Sequence, residues 1–136
     1  IVSNSPVIIL DGAHNFIAAR NLSRYLSEHL SHRNITLVIG ILDDKPYAAM
    51  LKSLIPLCHK VILTRPKIDR ALSPETLFPI ASKLIKNLDI IPEVDAAVKS
   101  AIATTSPKDA ICIAGSLYVV GEAKETFEKN PFILNE

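Results

Sequence analysis

The 136-residue chain is poor in the residues that mark several large classes of protein. It has no tryptophan, four glycines and two cysteines, and its 15 basic residues barely outnumber its 14 acidic ones. A net charge of +1 provides no strong field to attract nucleic acid or an anionic membrane surface. We therefore expect neither nucleic acid nor a membrane as partner, and a small polar ligand is the better candidate.

The two cysteines carry no recognisable chemistry. Cys58 and Cys112 lie in or beside apolar runs, and neither has a second thiol or a histidine at zinc-finger spacing. We predict two reduced core cysteines, with a disulfide or a reactive thiol as the alternative. The four histidines also lack the spacing of a metal site, so we predict no metal ligand on this chain.

Long hydrophobic runs are absent as well. The apolar runs fall short of the roughly 18 residues that a membrane-spanning helix needs, and no signal peptide is recognisable, so we expect a cytoplasmic protein. The chain begins with Ile1, which we interpret as processing or as a piece of a longer protein. Its 49% hydrophobic and 21% charged residues favour one folded domain over residues 1–136.

Several catalytic and phosphate-binding motifs are missing. Neither G-x-x-x-x-G-K-[ST] nor G-x-G-x-x-G occurs after a strand, and G-x-S-x-G and paired-cysteine redox motifs are absent too. We expect that the chain does not bind and cleave a nucleotide alone. A stand-alone hydrolase or oxidoreductase finds no support.

Short apolar runs alternate with segments of helical period along the whole chain. The predicted strands cover residues 7–10, 35–40, 61–64, 90–91 and 110–114. The predicted helices cover residues 16–30, 46–55, 74–85, 94–104 and 118–129. This order predicts an α/β fold with a doubly wound, mostly parallel sheet of five or six strands and helices on both faces. We expect Gly121, inside the last helix, to allow close packing.

The chemistry of such a sheet is expected at the carboxyl ends of its strands. Glycines fall at the ends of predicted strands one, two and five, where backbone can approach a ligand or turn tightly. The polar side chains that follow the strands are Asp11, His14, Asn15, Asp43, Asp44, Lys45, Arg65, Arg70 and Ser116. Each alone is explained equally well as a helix cap or a solvated residue, so the functional interpretation depends on their convergence at one edge.

Three motifs in order carry a family resemblance. They are DGAHN at residues 11–15, GILDDK at residues 40–45 and AGSLYVVGE at residues 114–122. Together they resemble the C-terminal domain of folylpolyglutamate synthase/dihydrofolate synthase, a branch of the Mur ligase family, over about residues 7–127. Arg70-Ala71 before Pro74 resembles the family's Arg-Ala stretch. Phe16 departs from the proline that is usual there, which alters the first helical turn.

The resemblance implies a three-part, ATP-dependent ligase of which this chain is the C-terminal lid. In the family's chemistry, a carboxylate of a folate or dihydropteroate attacks the γ-phosphate of ATP, and L-glutamate then attacks the acyl phosphate to form an amide. The lid helps to orient ATP and glutamate and excludes water. The Mg²⁺ is expected to be held mainly by the enzyme's own N-terminal and central part. The isolated chain is expected to be inactive.

The resemblance also implies a nucleotide-binding loop. Asp11 is the candidate for hydrogen bonding the ATP ribose, because a carboxylate can accept from both hydroxyls of a cis-diol. Gly12, His14 and Asn15 complete the expected cofactor-binding set.

His14 and Ser116 are the candidate catalytic residues of the resemblance. His14 is expected near the phosphates or the incoming glutamate, and Ser116 near the glutamate or the acyl phosphate. Lys45 and Arg70, with Ser116, are the candidate substrate-binding residues, although each cation is explained equally well as a solvated surface residue.

Two other classes of protein stay open at this point. A receiver-like phospho-acceptor domain is compatible with five strand–helix units and the pair Asp43-Asp44, but its acceptor aspartate should follow strand three, where Thr64-Arg65-Pro66 stands. A non-catalytic interaction domain is the third possibility, and it predicts no response to nucleotide.

Overall fold

The computed structural model describes residues 1–134 as one six-stranded sheet covered by five α-helices. The strands are β1 (Ser3–Asn4), β2 (Val7–Asp11), β3 (Ile35–Ile39), β4 (Lys60–Arg65), β5 (Leu88–Glu93) and β6 (Ala110–Ala114). The helices are α1 (Phe16–His29), α2 (Tyr47–Leu54), α3 (Pro74–Leu84), α4 (Val94–Thr104) and α5 (Leu117–Lys129). Two short 3₁₀ helices, Ile55–Leu57 and Pro131–Leu134, follow α2 and α5.

The sheet order is β1-β2-β6-β3-β4-β5, and only the short β1 pairs antiparallel. The last strand therefore lies between the first two parallel strands, which confirms the doubly wound, mostly parallel sheet. A receiver-like sheet has the order 2-1-3-4-5. The five parallel strands here, numbered along the chain, have the order 1-5-2-3-4, so the topology rules against the receiver alternative.

The central strands are mostly apolar because both of their faces are covered. In β3, Leu37 and Ile39 face the core under α1, α2 and α3, whereas Val38 faces the core under α4 and α5. This alternation with period two sends neighbouring residues to opposite faces of the sheet. Two hydrophobic cores, one on each face, thus hold the helices and fix the loops at the strand ends.

Most predicted elements agree with the structure. The differences are β1, which was not predicted, β5, which is longer than predicted, and the roles of Pro46 and Gly121. The bounds of α4 are those predicted, and Pro46 lies at the N-cap of α2 instead of within its first turn. The packing role expected for Gly121 is wrong, because its surface is exposed and an added Cβ would have no neighbour within 4 Å.

Both cysteines are free, as predicted. Burial raises the pKa of the Cys58 thiol to about 12, and burial likewise raises the pKa of Cys112. A thiol with a raised pKa is a poor nucleophile at neutral pH, so a structural role fits both residues. Within residues 1–134, the helices lack the length and hydropathy to cross a bilayer.

Candidate functional site

The register of the sheet places three of the predicted loops side by side. Ala114 at the end of β6 pairs with Asp11 at the end of β2 and with Ile39 at the end of β3. The chain then leaves β2 for the face of α1 and leaves β6 for the face of α5. This edge is the topological switch point of the sheet, the place where doubly wound domains bind ligands.

Asp11 organises the loop that follows β2. Its Oδ1 accepts a hydrogen bond from the Ala13 amide at 2.9 Å, and the side chain is partly exposed. The second carboxylate oxygen of Asp11 has no hydrogen-bond partner within residues 1–134. Asp11 can therefore hold its loop and still accept from a ligand.

His14 is exposed in the same loop, and one of its two ring nitrogens makes a hydrogen bond within the loop. Nδ1 lies 3.0 Å from the carbonyl oxygen of Gly12. A carbonyl oxygen only accepts, so Nδ1 carries the proton of this bond. Nε2 is then free to accept when the ring is neutral and to donate when the ring is charged.

Asn15 and Ser116 cap the two helices that begin at this edge. Asn15 Oδ1 accepts from the Ala18 amide at 2.8 Å, and Ser116 Oγ accepts from the Val119 amide at 3.1 Å. Ser116 is only 1% exposed. Its cap uses an oxygen lone pair, so the hydroxyl proton can still be donated. Capping accounts for both residues locally, and their ligand roles stay predictions.

Packing within the chain accounts for the glycines of the edge. A side chain at Gly12 would overlap Leu117, and one at Gly115 would overlap the carbonyl oxygen of Gly40. Gly115 also has a φ of +110°, which L side chains rarely adopt. The atom nearest to a Cβ at Gly12 is the end of the exposed Leu117 side chain, which can move, and a contact between Gly12 and a nucleotide stays a prediction.

The loop after β3 is joined to the loop after β4 by backbone hydrogen bonds. The Asp43 amide donates to the carbonyl oxygen of Arg70 at 2.7 Å, and the Leu72 amide donates to that of Ile41 at 2.9 Å. Leu42 and Ala71 form an antiparallel bridge between them. Because these residues are distant in sequence and follow no periodic pattern, sequence reasoning did not find this pairing.

The two cations predicted to bind substrate, Lys45 and Arg70, form ion pairs with aspartates of the chain. Arg70 Nη2 lies 2.7 Å from Asp44 and its Nε lies 3.9 Å from Asp43, while Lys45 Nζ lies 3.7 Å from Asp44. Desolvation raises the pKa of Asp44, but the charges of Arg70 and Lys45 and the hydrogen bond from Arg70 outweigh it, so this pKa lies below 3.8. Both cations are thus partly neutralised, and their substrate contacts stay predictions.

An open cavity of about 610 Å³ lies between α4 and α5, and Asp11 and His14 are not among its lining residues. The residues that line it are Lys67, Glu93, Asp95, Lys99, Glu122, Glu125, Thr126, Lys129 and Asn130. The lining contains both acidic and basic side chains, and the Lys67 amide donates to Glu122 at 2.6 Å. The mixed charge selects no ligand class. No group of three His, Cys, Asp or Glu residues suited to a metal ion occurs within residues 1–134.

The fold and the convergence of loops define a doubly wound α/β domain with its candidate site at the switch point. The profile of the family described as "Mur ligase, glutamate ligase domain" matches residues 1–117. The chain belongs to this family, which confirms the resemblance found in the sequence.

The similar proteins have more specific names than the family. The chain is 26% identical to the dihydrofolate synthase/folylpolyglutamate synthase of Bacillus subtilis, over 92% of the chain and 29% of that protein. It is 32% identical to a probable bifunctional folylpolyglutamate synthase/dihydropteroate synthase of Haloferax volcanii, over 95% of the chain and 15% of that protein.

Solved structures agree in fold. The structure of E. coli FolC in complex with ADP matches with a TM-score of 0.88 and 26% identity, over 97% of this chain and 31% of that one. Folylpolyglutamate synthase from Thermotoga maritima matches with a TM-score of 0.78 and 34% identity, over 91% of this chain and 28% of that one. The chain therefore spans less than a third of the length of each of these proteins.

Proposed function

We propose that this chain is the C-terminal domain of an ATP-dependent ligase that adds L-glutamate to a carboxylate of a folate or a dihydropteroate. The observation that carries the proposal is the family match over residues 1–117, together with Asp11, His14 and Ser116 at one edge of the sheet. The similar proteins are named for this activity, and one of them was solved with ADP.

The reaction has two steps. An oxygen of the substrate carboxylate attacks the γ-phosphorus of ATP, the bond to the β-phosphate oxygen breaks, and ADP leaves an acyl phosphate behind. The neutral amine of glutamate then attacks the carbonyl carbon and expels phosphate, and the surplus proton passes to a base. Water would hydrolyse the acyl phosphate, so a domain that closes over the site raises the yield of amide.

Asp11 and His14 form the nucleotide end of the proposed site. The free oxygen of the Asp11 carboxylate is placed to accept from a ribose hydroxyl, because its other oxygen is held by the Ala13 amide. His14 presents Nε2 to solvent, since Nδ1 is bonded to Gly12. A charged imidazole at this position would donate to an anionic oxygen of a phosphate or of glutamate. Gly12 and Asn15 shape the loop.

Ser116, Lys45 and Arg70 are proposed to border the glutamate. The Ser116 hydroxyl would donate to the glutamate or the acyl phosphate from its place at the start of α5. Lys45 keeps one distant ion pair at 3.7 Å, so its ammonium is the freer of the two cations. To bind substrate, Arg70 must break an ion pair with Asp43 or Asp44 and form one with a carboxylate of the substrate.

The rest of the ligase is the proposed partner of this domain. We assign the phosphate-binding loop and most ligands of the Mg²⁺ to that part, because the sequence here has no phosphate-binding motif. Magnesium would neutralise phosphate charge during transfer. A cytoplasmic location stays a prediction.

The test is ligation by the full-length parent. The parent is incubated with ATP, labelled glutamate and either dihydropteroate or a tetrahydrofolate, beside this chain alone. We expect ATP-dependent incorporation by the parent and none by the isolated chain. Incorporation without ATP, or none with either acceptor, would contradict the proposed function. The acceptor that becomes labelled also shows whether the enzyme uses dihydropteroate or a tetrahydrofolate.

A further inference from the structure

The loop after β4 carries Arg70, one of the residues proposed to border the glutamate. We call residues 66–72 of this loop the arginine loop. Its second half is bonded to the loop after β3, through the carbonyl oxygen of Arg70 and the amide of Leu72. The backbone at Arg70 is therefore fixed on the side of β3.

The first half of the arginine loop is held by Glu122, in the middle of α5. Glu122 ends the motif at residues 114–122, and the proposed reaction gives it no contact. Its Oε2 accepts a hydrogen bond from the Lys67 amide at 2.6 Å, and a carboxylate is a strong acceptor. Within residues 1–134, no other hydrogen bond joins residues 66–69 to another element. Glu122 is thus the polar anchor of this half.

Packing brings α5 and the arginine loop to the same place. A Cβ at Gly40 would lie 3.0 Å from Val119 Cγ2 and 3.1 Å from Pro66 Cδ, so the helix and the first residue of the loop both approach Gly40. Glu122 lies three residues after Val119, on the same side of α5. The anchor therefore stands beside an apolar meeting point of the helix and the loop.

Tight turns connect the anchor to Arg70. The Ile68 amide donates to the carbonyl oxygen of Pro66 at 2.9 Å, and the Ala71 amide donates to that of Ile68 at 3.0 Å. The segment thus consists of consecutive hydrogen-bonded turns. A displacement at its start consequently moves Arg70.

We propose that Glu122 is a positioning residue for the glutamate end of the site, and that it acts through Arg70. The inference rests on the proposed function, in which Ser116 and Arg70 border the glutamate. Ser116 caps the helix that carries Glu122, so the anchor sets the position of Arg70 relative to Ser116. Without the anchor, the arginine loop has several positions, and Arg70 meets the substrate carboxylate in only a fraction of them.

Kinetics of the full-length parent test this role. Glu122→Ala and Glu122→Met both remove the acceptor oxygen, and methionine keeps the length of the side chain. We expect KM for glutamate to rise about tenfold in both variants, and to stay within about twofold of the wild type in Glu122→Gln, which keeps an acceptor. KM for ATP should not change, because the proposed nucleotide contacts lie on the loop after β2. Glu125→Ala is the matched control, since Glu125 is exposed on the same helix.

Two further measurements separate positioning from a general loss of structure. In an Arg70→Ala background, Glu122→Ala should leave KM for glutamate unchanged, because the group that it positions is gone. Hydrogen exchange of the parent, followed by mass spectrometry, should be at least about tenfold faster at residues 66–70 in Glu122→Ala. Exchange in β3 should stay as in the wild type, which shows that the fold is intact.

Each outcome decides the inference. A wild-type KM for glutamate in Glu122→Ala and Glu122→Met overturns it, and so does an equal further rise in the Arg70→Ala background. Unchanged exchange at residues 66–70, or faster exchange in β3 with a lower kcat and unchanged KM values, overturns it as well. A wild-type parent that does not ligate removes the proposed function and this inference with it, so the two failures are told apart by the wild type.

Discussion

At the scale of single residues, Gly115 and Gly121 show how differently one residue type can be used within a few positions. Gly115 turns the chain from β6 into α5 with a φ of +110°, and its α-carbon faces the carbonyl of Gly40. Gly121 lies in the exposed middle of α5 with open space around it. Only the first position requires glycine.

The two glycines should respond in opposite directions to alanine. Gly121→Ala is expected to raise the free energy of unfolding by about 0.4–1 kcal/mol, because alanine restricts the unfolded chain and suits a helix. Gly115→Ala is expected to lower it by about 1–3 kcal/mol from backbone strain, with the overlap at Gly40 adding to this. Urea unfolding of both variants checks the signs, and a stable Gly115→Ala variant would contradict the geometry.

Sequence reasoning reached the candidate residues only in part. The motif around Asp11 and His14 identified the loop, and the strand register does bring it beside Ser116. The ion pairs of Arg70 escaped notice, because a charge at the surface gives no sign of its partner 26 or 27 positions away. The same limit applies to the bond between the Lys67 amide and Glu122.

At the scale of elements, hydrophobic periodicity predicted the helices and strands well, since the central strands and the helices place their apolar residues in the two cores. It failed for β1, whose two residues Ser3 and Asn4 are polar and pair only with the edge of β2. It could not give the strand order either, because the place of β6 between β2 and β3 depends on long-range pairing.

Three helix N-caps allow a matched comparison. Asn15 and Ser116 each accept from a backbone amide, whereas Ser73 at the start of α3 makes no such bond. We expect Asn15→Ala and Ser116→Ala each to lower the free energy of unfolding by about 0.5–2 kcal/mol. Ser73→Ala should change it by less than about 0.5 kcal/mol. Chemical denaturation measures all three, and equal losses at all three positions would show that the caps are not the cause.

The contact between α4 and α5 should be visible as a shifted carboxyl titration. Hydrogen bonds from Lys99 and Thr126 lower the pKa of Asp95 below its ordinary 3.8, and they outweigh a small opposing effect of desolvation. Thr126 Oγ1 donates to Asp95 at 2.8 Å, so the carboxylate connects the two helices.

The sign of the effect follows from linkage. A pKa lowered in the folded state means that Asp95 contributes stability above its unfolded pKa, and that this contribution is lost as the pH falls through the folded pKa. NMR titration of the Asp95 carboxyl carbon should give a pKa below 3.8 in the wild type and a higher one in Lys99→Ala and in Thr126→Val. Asp95→Asn should weaken the acid dependence of unfolding. A wild-type pKa at or above 3.8 would contradict these contacts.

At the scale of the whole molecule, the two sides of the sheet are closed by their helices and the carboxyl edge stays open. That edge combines the free oxygen of Asp11, the free Nε2 of His14 and the exposed side chains of Ile17 and Leu117. These groups lie on one face of a single domain, which agrees with the proposal that the domain is part of a larger ligase. Its share of less than a third of E. coli FolC agrees with that role.

The measurement that tests this account most directly is the ligation rate of the full-length parent carrying changes at Asp11 and His14. We expect Asp11→Ala and His14→Ala to lower kcat/KM for ATP by about ten- to a hundredfold, the loss of a hydrogen bond to a charged group. Asp11→Asn, which can keep the bond to the Ala13 amide, should lose activity without unfolding the loop. Glu128→Gln, on the exposed side of α5, should behave as the wild type. Wild-type kinetics in both alanine variants would show that this edge is not the site.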